Sequence, residues 1–271
     1  MACRLKVQIN SGSEQGRHSS VHCLFLRSGR TSMVEVYALL VPYEEGFPQY
    51  MELCDYVSPE KSIRIKRMAS PKDAQRLLWA ELLVRALIMD KYKLKNREIS
   101  FVTNPHGKPV FERDPSFAFN ISHSGNWIVA AVAEQGQWIG VDIEEIRPIE
   151  LDIAERFFAP SEYRHLTRES KSRQLEYFYD LWTLKESYLK ATGAGLTLPL
   201  NSFEIHKDRE AGAISVAQTH SAHTFFFRQY DVDPSYKLSV CSTEESFVDA
   251  VKRVECSEVY ERVAGVSMQK L

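Results

Sequence analysis

The sequence lacks three patterns that would have narrowed its class at once. It has no wholly apolar run approaching the roughly 18 residues a membrane helix needs. It has no CxxC pair: the five cysteines, Cys3, Cys23, Cys54, Cys241 and Cys256, are odd in number and scattered. A zinc site or a disulfide framework is thereby disfavoured, and a reducing, cytoplasmic setting is expected. It has no excess of one charge either, with a formal net charge of −2. No global field argues for nucleic acid or an anionic membrane, so any phosphate-binding patch must be local.

What is present is a 271-residue chain, 44% hydrophobic and 26% charged. That is enough for one large domain or two modest ones with a real core. Residues 1–32 differ from the rest. They are basic, with Arg4, Lys6, Arg17, Arg27 and Arg30 against Glu14 alone, and rich in Ser and Gly. Val21–Leu26 is too short and interrupted for a secretory signal. The segment is read as a disordered extension ahead of a functional start at Met33.

From Met33 an order of elements occurs twice. Val34–Val41 reads as a strand ending at Pro42. Ser58-Pro and Ser70-Pro each read as a helix start, with Ser as N-cap and Pro at the first helical position. The second of these helices runs to about Tyr92 on a stripe of Leu77, Leu78, Leu82, Val84, Leu87 and Ile88. Strand-like runs follow at 99–102, 108–111, 117–121 and 127–133, with a turn at Asn104–Gly107. The second half gives a strand at 138–143, helices at 151–158 and from Pro160, a long helix at 174–191 stopped by Gly193, then four strand-like runs to Cys241. Helices followed by strand runs point to an α+β fold. The expected architecture is a pseudo-dimer of two similar halves, 33–137 and 138–250, each a small antiparallel sheet packed on a long helix. Residues 251–271 are left as a C-terminal tail.

The chemistry concentrates in two segments. In Trp138-Ile-Gly-Val-Asp142-Ile-Glu144, the acids sit two apart on a strand and leave the same face. The bland reading is a strand's wet face. The apolar neighbours Ile139, Val141, Ile143 and Ile146 instead hold both acids on a packed strand, where like charges repel unless a cation lies between them. In Leu181-Trp182-Thr-Leu-Lys185-Glu186-Ser-Tyr-Leu-Lys190, Glu186 and Lys190 stand four apart on a helix. A surface pair is the bland reading, but Tyr177, Phe178, Tyr179, Trp182 and Tyr188 surround them, and buried charges need partners or a task. Together the segments offer three carboxylates and an ammonium, which suits a hard cation holding a phosphate ester. Ser122, His123, Ser124 and Gly125 form a polar strand end suited to an anion. The basic run Lys61, Arg64, Lys66, Arg67 with Arg76 is either a solvated helix face or the local phosphate patch. Gly107-Lys108-Pro109 alone is only a turn.

Taken in order, Gly107-Lys-Pro, Phe119-Asn-Ile-Ser-His-Ser, Ile139-Gly-Val-Asp-Ile-Glu144, Arg156-Phe-Phe with Glu162, and Trp182-x-x-Lys-Glu-Ser-x-x-Lys190 resemble the 4′-phosphopantetheinyl transferases, and within them the Sfp type of bacterial peptide-antibiotic biosynthesis. The resemblance runs from Met33 to about residue 250. It implies transfer of the phosphopantetheine arm of coenzyme A to a serine of an apo carrier protein, with release of 3′,5′-ADP. It implies magnesium on Asp142, Glu144 and Glu186, catalysis by Glu186 and Lys190, and coenzyme A contacts at Lys61, Arg64, Arg76, Lys108, Ser122 and His123. Leu77 departs from the family's threonine near the adenine. Carrier proteins of nonribosomal peptide, polyketide or fatty-acid synthases are the implied partners, and a monomer is expected. Two other readings are a metal-dependent phosphohydrolase and a non-catalytic carrier-binding module. The intact set of acids and lysine argues against the second.

Overall fold

A computed structural model describes residues 33–42, 50–104, 107–134, 136–208 and 212–265. The extension expected at 1–32 lies outside the described residues. The remaining chain forms β1 (Glu35–Leu40), α1 (Tyr50–Leu53), α2 (Pro59–Lys66), α3 (Pro71–Tyr92), β2 (Phe101–Thr103), β3 (Pro109–Phe111), β4 (Ala118–Ser124), β5 (Trp127–Ala133) and β6 (Ile139–Glu145). Then come α4 (Ile153–Phe157), α5 (Pro160–Arg168), α6 (Lys171–Thr192), β7 (Glu204–Lys207), β8 (Ile214–Ala217), β9 (Phe226–Tyr230), β10 (Tyr236–Ser242), β11 (Lys252–Val254) and α7 (Cys256–Ala264). The fold is mixed α+β, with small sheets and two long helices.

The helix boundaries follow local chemistry. Ser58 accepts a hydrogen bond from the Lys61 amide and Ser70 one from the Asp73 amide, so each satisfies a donor that the first turn leaves open. At the other end of α6, Gly193 takes the left-handed conformation (φ 70°) and its amide returns to the Leu189 carbonyl.

Strands run β11-β1-β5-β4 in one sheet and β6-β10-β9 in another, with hairpins β2–β3 and β7–β8 beside them. Period-2 alternation sorts the first sheet's faces. Leu39, Ile128 and Ala130 meet Leu78, Leu82 and Ala86 of α3 and Val259 and Val263 of α7. Val36, Ala38, Val129 and Ala131 meet Val141, Ile143, Leu238 and Val240 of the second sheet. The second sheet's other face lies under α6, whose Leu184 and Tyr188 share a core with Phe225 and Cys241. Asp142 and Glu144, out of phase with Val141 and Ile143, therefore face α6.

One expectation needs correction. The first sheet is mixed, not antiparallel, because Lys252–Val254 pairs in parallel with Tyr37–Leu39. The part of the presumed tail that is described, 251–265, thus completes the first sheet and packs α7 on α3. Three strand residues carry too little periodicity to announce themselves. Among the described residues no helix is long and apolar enough to cross a membrane.

Candidate active site

The site begins with a close approach. α6 crosses β6 at Gly140, where a Cβ would stand 1.9 Å from the Ser187 carbonyl oxygen and 2.4 Å from the Ala191 amide nitrogen. Only glycine lets the helix backbone rest on the strand. That contact brings the 186–190 turn of α6 over Asp142.

Lys190 Nζ donates to Asp142 Oδ1 at 2.6 Å, to Ser122 Oγ at 2.9 Å and to the Val141 carbonyl at 3.1 Å. Ser122 Oγ donates to Asp142 Oδ1 at 2.9 Å and accepts from the Ile143 amide at 3.3 Å. Asp142 is 3% exposed, and its Oδ2 is buried without a hydrogen-bond partner among the described residues. An orphaned carboxylate oxygen of this kind costs free energy unless a ligand meets it.

Burial raises the Asp142 carboxyl above its usual range, with Lys190 and Ser122 pulling the other way. Glu144 is pushed up to about 7 by burial and by repulsion from Asp142, against a 2.8 Å hydrogen bond from Ser124. Glu186 is raised by burial and by Asp142. It is half-buried and forms no hydrogen bond or ion pair among the described residues. Asp142 thus disfavours charge on Glu144 and on Glu186, and Glu186 on Glu144, a condition that a cation would relieve. Among the described residues no group of three or more His, Cys, Asp or Glu side chains is placed, as it stands, to hold a metal ion.

The other expected residues are placed unevenly. His123 is exposed at the end of β4. Partial desolvation and the nearby Arg76 guanidinium keep its ring below the usual histidine pKa. Arg76 binds Asp73 at 2.9 Å and the Gly125 carbonyl at 2.8 Å, which fixes it beside that strand end. Lys108 donates to the Ile139 carbonyl at 3.0 Å, and burial lowers its pKa to about 8. Lys61 turns to the buried Glu81 at 3.4 Å, which Arg85 also holds at 2.8 Å. Arg64 is exposed on α2. The structure therefore joins Ser122, Asp142 and Lys190 directly, sets Glu144 and Glu186 around them, pairs Lys61 with Glu81 and leaves Arg64 exposed.

Sequence reasoning named Lys185, Glu162, Asn120 and Ser124 only within motifs and a polar strand end, and gave them no part in holding this cluster. Lys185, next to Glu186, is fully buried and pairs with Glu162 at 2.8 Å. Asn120 and Ser124 flank Ser122 at alternate positions of β4 and reach β6 as Ser122 does. The alternation of three small polar residues along β4 was the available signal.

Paired acids beneath a lysine, at a strand–helix crossing in an α+β fold, make a charged, half-buried cluster of the kind that suits a phosphate ester. Comparison with known proteins narrows this to a family. Residues 139–241 match the 4′-phosphopantetheinyl transferase superfamily, and residues 43–135 match the 4′-phosphopantetheinyl transferase N-terminal family. The chain is 40% identical over 204 residues to the 4′-phosphopantetheinyl transferase Sfp of Bacillus subtilis (strain 168), covering 75% of this chain and 90% of that protein. It is 41% identical over 202 residues to the Bacillus subtilis 4′-phosphopantetheinyl transferase ffp, covering 74% and 89%. It is 38% identical over 218 residues to the Bacillus pumilus 4′-phosphopantetheinyl transferase psf-1, covering 80% and 92%. The chain belongs to the 4′-phosphopantetheinyl transferase family. It is an enzyme, and its reaction moves the phosphopantetheinyl group of coenzyme A to a carrier protein.

Proposed function

We propose that Asp142, Glu144 and Glu186 hold a magnesium ion and that Glu186 and Lys190 carry the transfer. The single observation behind this is the cluster itself: Lys190 on Asp142 at 2.6 Å, an orphaned Asp142 oxygen, and two further carboxylates raised by burial and repulsion. The donor set is all oxygen, which fits magnesium, an ion usually shared between one or two carboxylates, waters and substrate phosphates. When bound, magnesium neutralises charge on the pyrophosphate.

The residues divide the remaining work. Glu186 makes no hydrogen bond or ion pair among the described residues, and its raised pKa suits a group that takes a proton. It accepts the proton of the carrier serine as the serine oxygen bonds to the pantetheine-side phosphorus. The phosphoanhydride bond breaks and 3′,5′-ADP leaves. Lys190, one turn on, sets its ammonium against the charge that develops on the leaving phosphate. His123 and Arg76, side by side at the end of β4, suit the 3′-phosphate of coenzyme A. Ser122 closes the same end. Arg64 is available to the outer phosphates as it stands, whereas Lys61 and Lys108 would exchange Glu81 and the Ile139 carbonyl for them.

The site lies between two halves with like wiring, and a pseudo-dimer is the proposed origin. Each half's sheet reads first strand, last strand, penultimate strand: β1-β5-β4 and β6-β10-β9. Each carries a 22-residue helix and a two-stranded hairpin. The enzyme is proposed to act as a monomer in the cytoplasm on carrier proteins of peptide, polyketide or fatty-acid synthases, with antibiotic synthesis as the setting its relatives suggest.

The test is the mass of an apo carrier protein incubated with coenzyme A, magnesium and enzyme. The expected outcome is a phosphopantetheine adduct with the wild type, and none with Asp142→Ala or Glu186→Ala at unchanged melting temperature. Near-normal transfer by either variant at low magnesium overturns the ligand assignment.

A further inference from the structure

The two sheets meet along β4 and β6 without a backbone ladder. Their strand orders end there, with β4 at one edge and β6 at another. The amides that β6 turns away from β10 are taken by side chains. Asn120 Oδ1 accepts from Val141 N at 2.9 Å, Ser122 Oγ from Ile143 N at 3.3 Å, and Ser124 Oγ from Glu145 N at 3.1 Å. The spacing i, i+2, i+4 on β4 matches i, i+2, i+4 on β6, so three short side chains replace one strand-to-strand ladder. Each rung satisfies an amide that would otherwise be left open at a sheet edge.

The rungs are not equivalent. Asn120 offers its carbonyl oxygen to an amide and, among the described residues, nothing to a carboxylate. The serines have a hydroxyl proton to spend as well. Ser122 gives its proton to Asp142 Oδ1 at 2.9 Å, and Ser124 gives its own to Glu144 Oε2 at 2.8 Å. A strand backbone in β4's place could offer amides and carbonyls to β6 but no donor to a side chain on its far face. We infer that Ser124 is a positioning residue: it docks the amide of Glu145 and in the same contact sets the rotamer of Glu144. The seam that joins the halves then also aims the acid. This inference rests on the reading of Glu144 as a cation ligand.

Asn120 is the internal control, since Asn120→Ala and Ser124→Ala each remove one rung and only the second frees a carboxylate. Three measurements decide it: hydrogen exchange at the Val141 and Glu145 amides, calorimetric titration of the substrate-free enzyme with magnesium, and turnover against magnesium concentration. Both variants are expected to speed exchange at their own rung. Ser124→Ala is expected to weaken magnesium binding about tenfold, as loss of an outer hydrogen bond to a metal ligand does, and to shift turnover to higher magnesium. Asn120→Ala should leave both magnesium readouts unchanged, and Ser124→Thr, which keeps the hydroxyl, should restore them. Equal shifts in Asn120→Ala and Ser124→Ala, or none in either, overturn the inference. Glu144→Gln separates the two failures. If it abolishes magnesium binding while Ser124→Ala does nothing, only the positioning role falls. If Glu144→Gln itself leaves binding and turnover unchanged, the ligand reading falls and the positioning role with it.

Discussion

Lys185 shows how much one side chain can hold in place. Its ammonium, fully buried, meets Glu162 at 2.8 Å, the carbonyls of Leu200 at 3.0 Å and Phe203 at 2.8 Å, and the ring of Phe203 at 4.3 Å. Glu162 in turn accepts from the amides of Ala159 and Ile205, each at 2.7 Å. Burial lowers the lysine's pKa while Glu162 opposes that fall. One ion pair thus binds α6, α5 and the approach to β7 beside Glu186. Lys185→Met strands a buried carboxylate and is expected to cost about 3–5 kcal/mol, read from urea unfolding. Glu162→Gln combined with Lys185→Met should recover part of that loss, because no charge is then left unpaired. Undiminished stability in the single variant would show that the pair contributes nothing. At this scale the sequence spoke clearly for Asp142 and Glu144, because strand period alone puts them on one face. It also spoke for Glu186 and Lys190, because helix period does the same. It set Lys61 among the coenzyme A contacts and gave no sign of its pairing with Glu81, which depends on how α2 lies on α3. The direction of Ser122, inward to Asp142 and Lys190, likewise needed the neighbouring strand to be in place.

Between elements, the crossing of α6 over β6 sets the geometry of the acids. Gly140→Ala would put a methyl 1.9 Å from a main-chain oxygen, and a carbonyl in a helix cannot swing aside as a flexible side chain can. The helix must lift, at a cost of about 1–3 kcal/mol, and Lys190 must leave Asp142. The expected outcome is a lower melting temperature with a larger loss of turnover than of coenzyme A affinity. Full turnover in a destabilised Gly140→Ala protein would mean that the crossing does not govern the chemistry. Most elements were legible because their punctuation is chemical: Ser-Pro at the starts of α2 and α3, Gly193 at the end of α6. The strand that passed unnoticed is β11, three residues long and partnered more than two hundred positions away.

For the whole molecule, the last described segment closes the first sheet. Val259 and Val263 of α7 are buried beside Leu83 and Ala86 of α3, and a fully buried valine contributes about 1.5–3 kcal/mol. A chain ending at residue 250 loses both valines and the parallel strand on β1. It is expected to melt at a clearly lower temperature, and to lose activity in step with folded fraction and not through altered affinity for coenzyme A. Unchanged melting of the shortened chain would show that the segment adds nothing to the fold.

That same pairing fixes an order of events during synthesis. Tyr37 and Lys252, 215 residues apart, must meet before β1 gains its outer neighbour. The loop to be closed spans almost the entire described chain, so the contact forms late and contributes to a high contact order. While the ribosome is still adding the second half, β1 presents an open strand edge, which is the part of a nascent sheet most prone to pair with another chain. The outer edge of β1 therefore stays open until Lys252–Val254 arrive, after every side chain of the candidate site has been made.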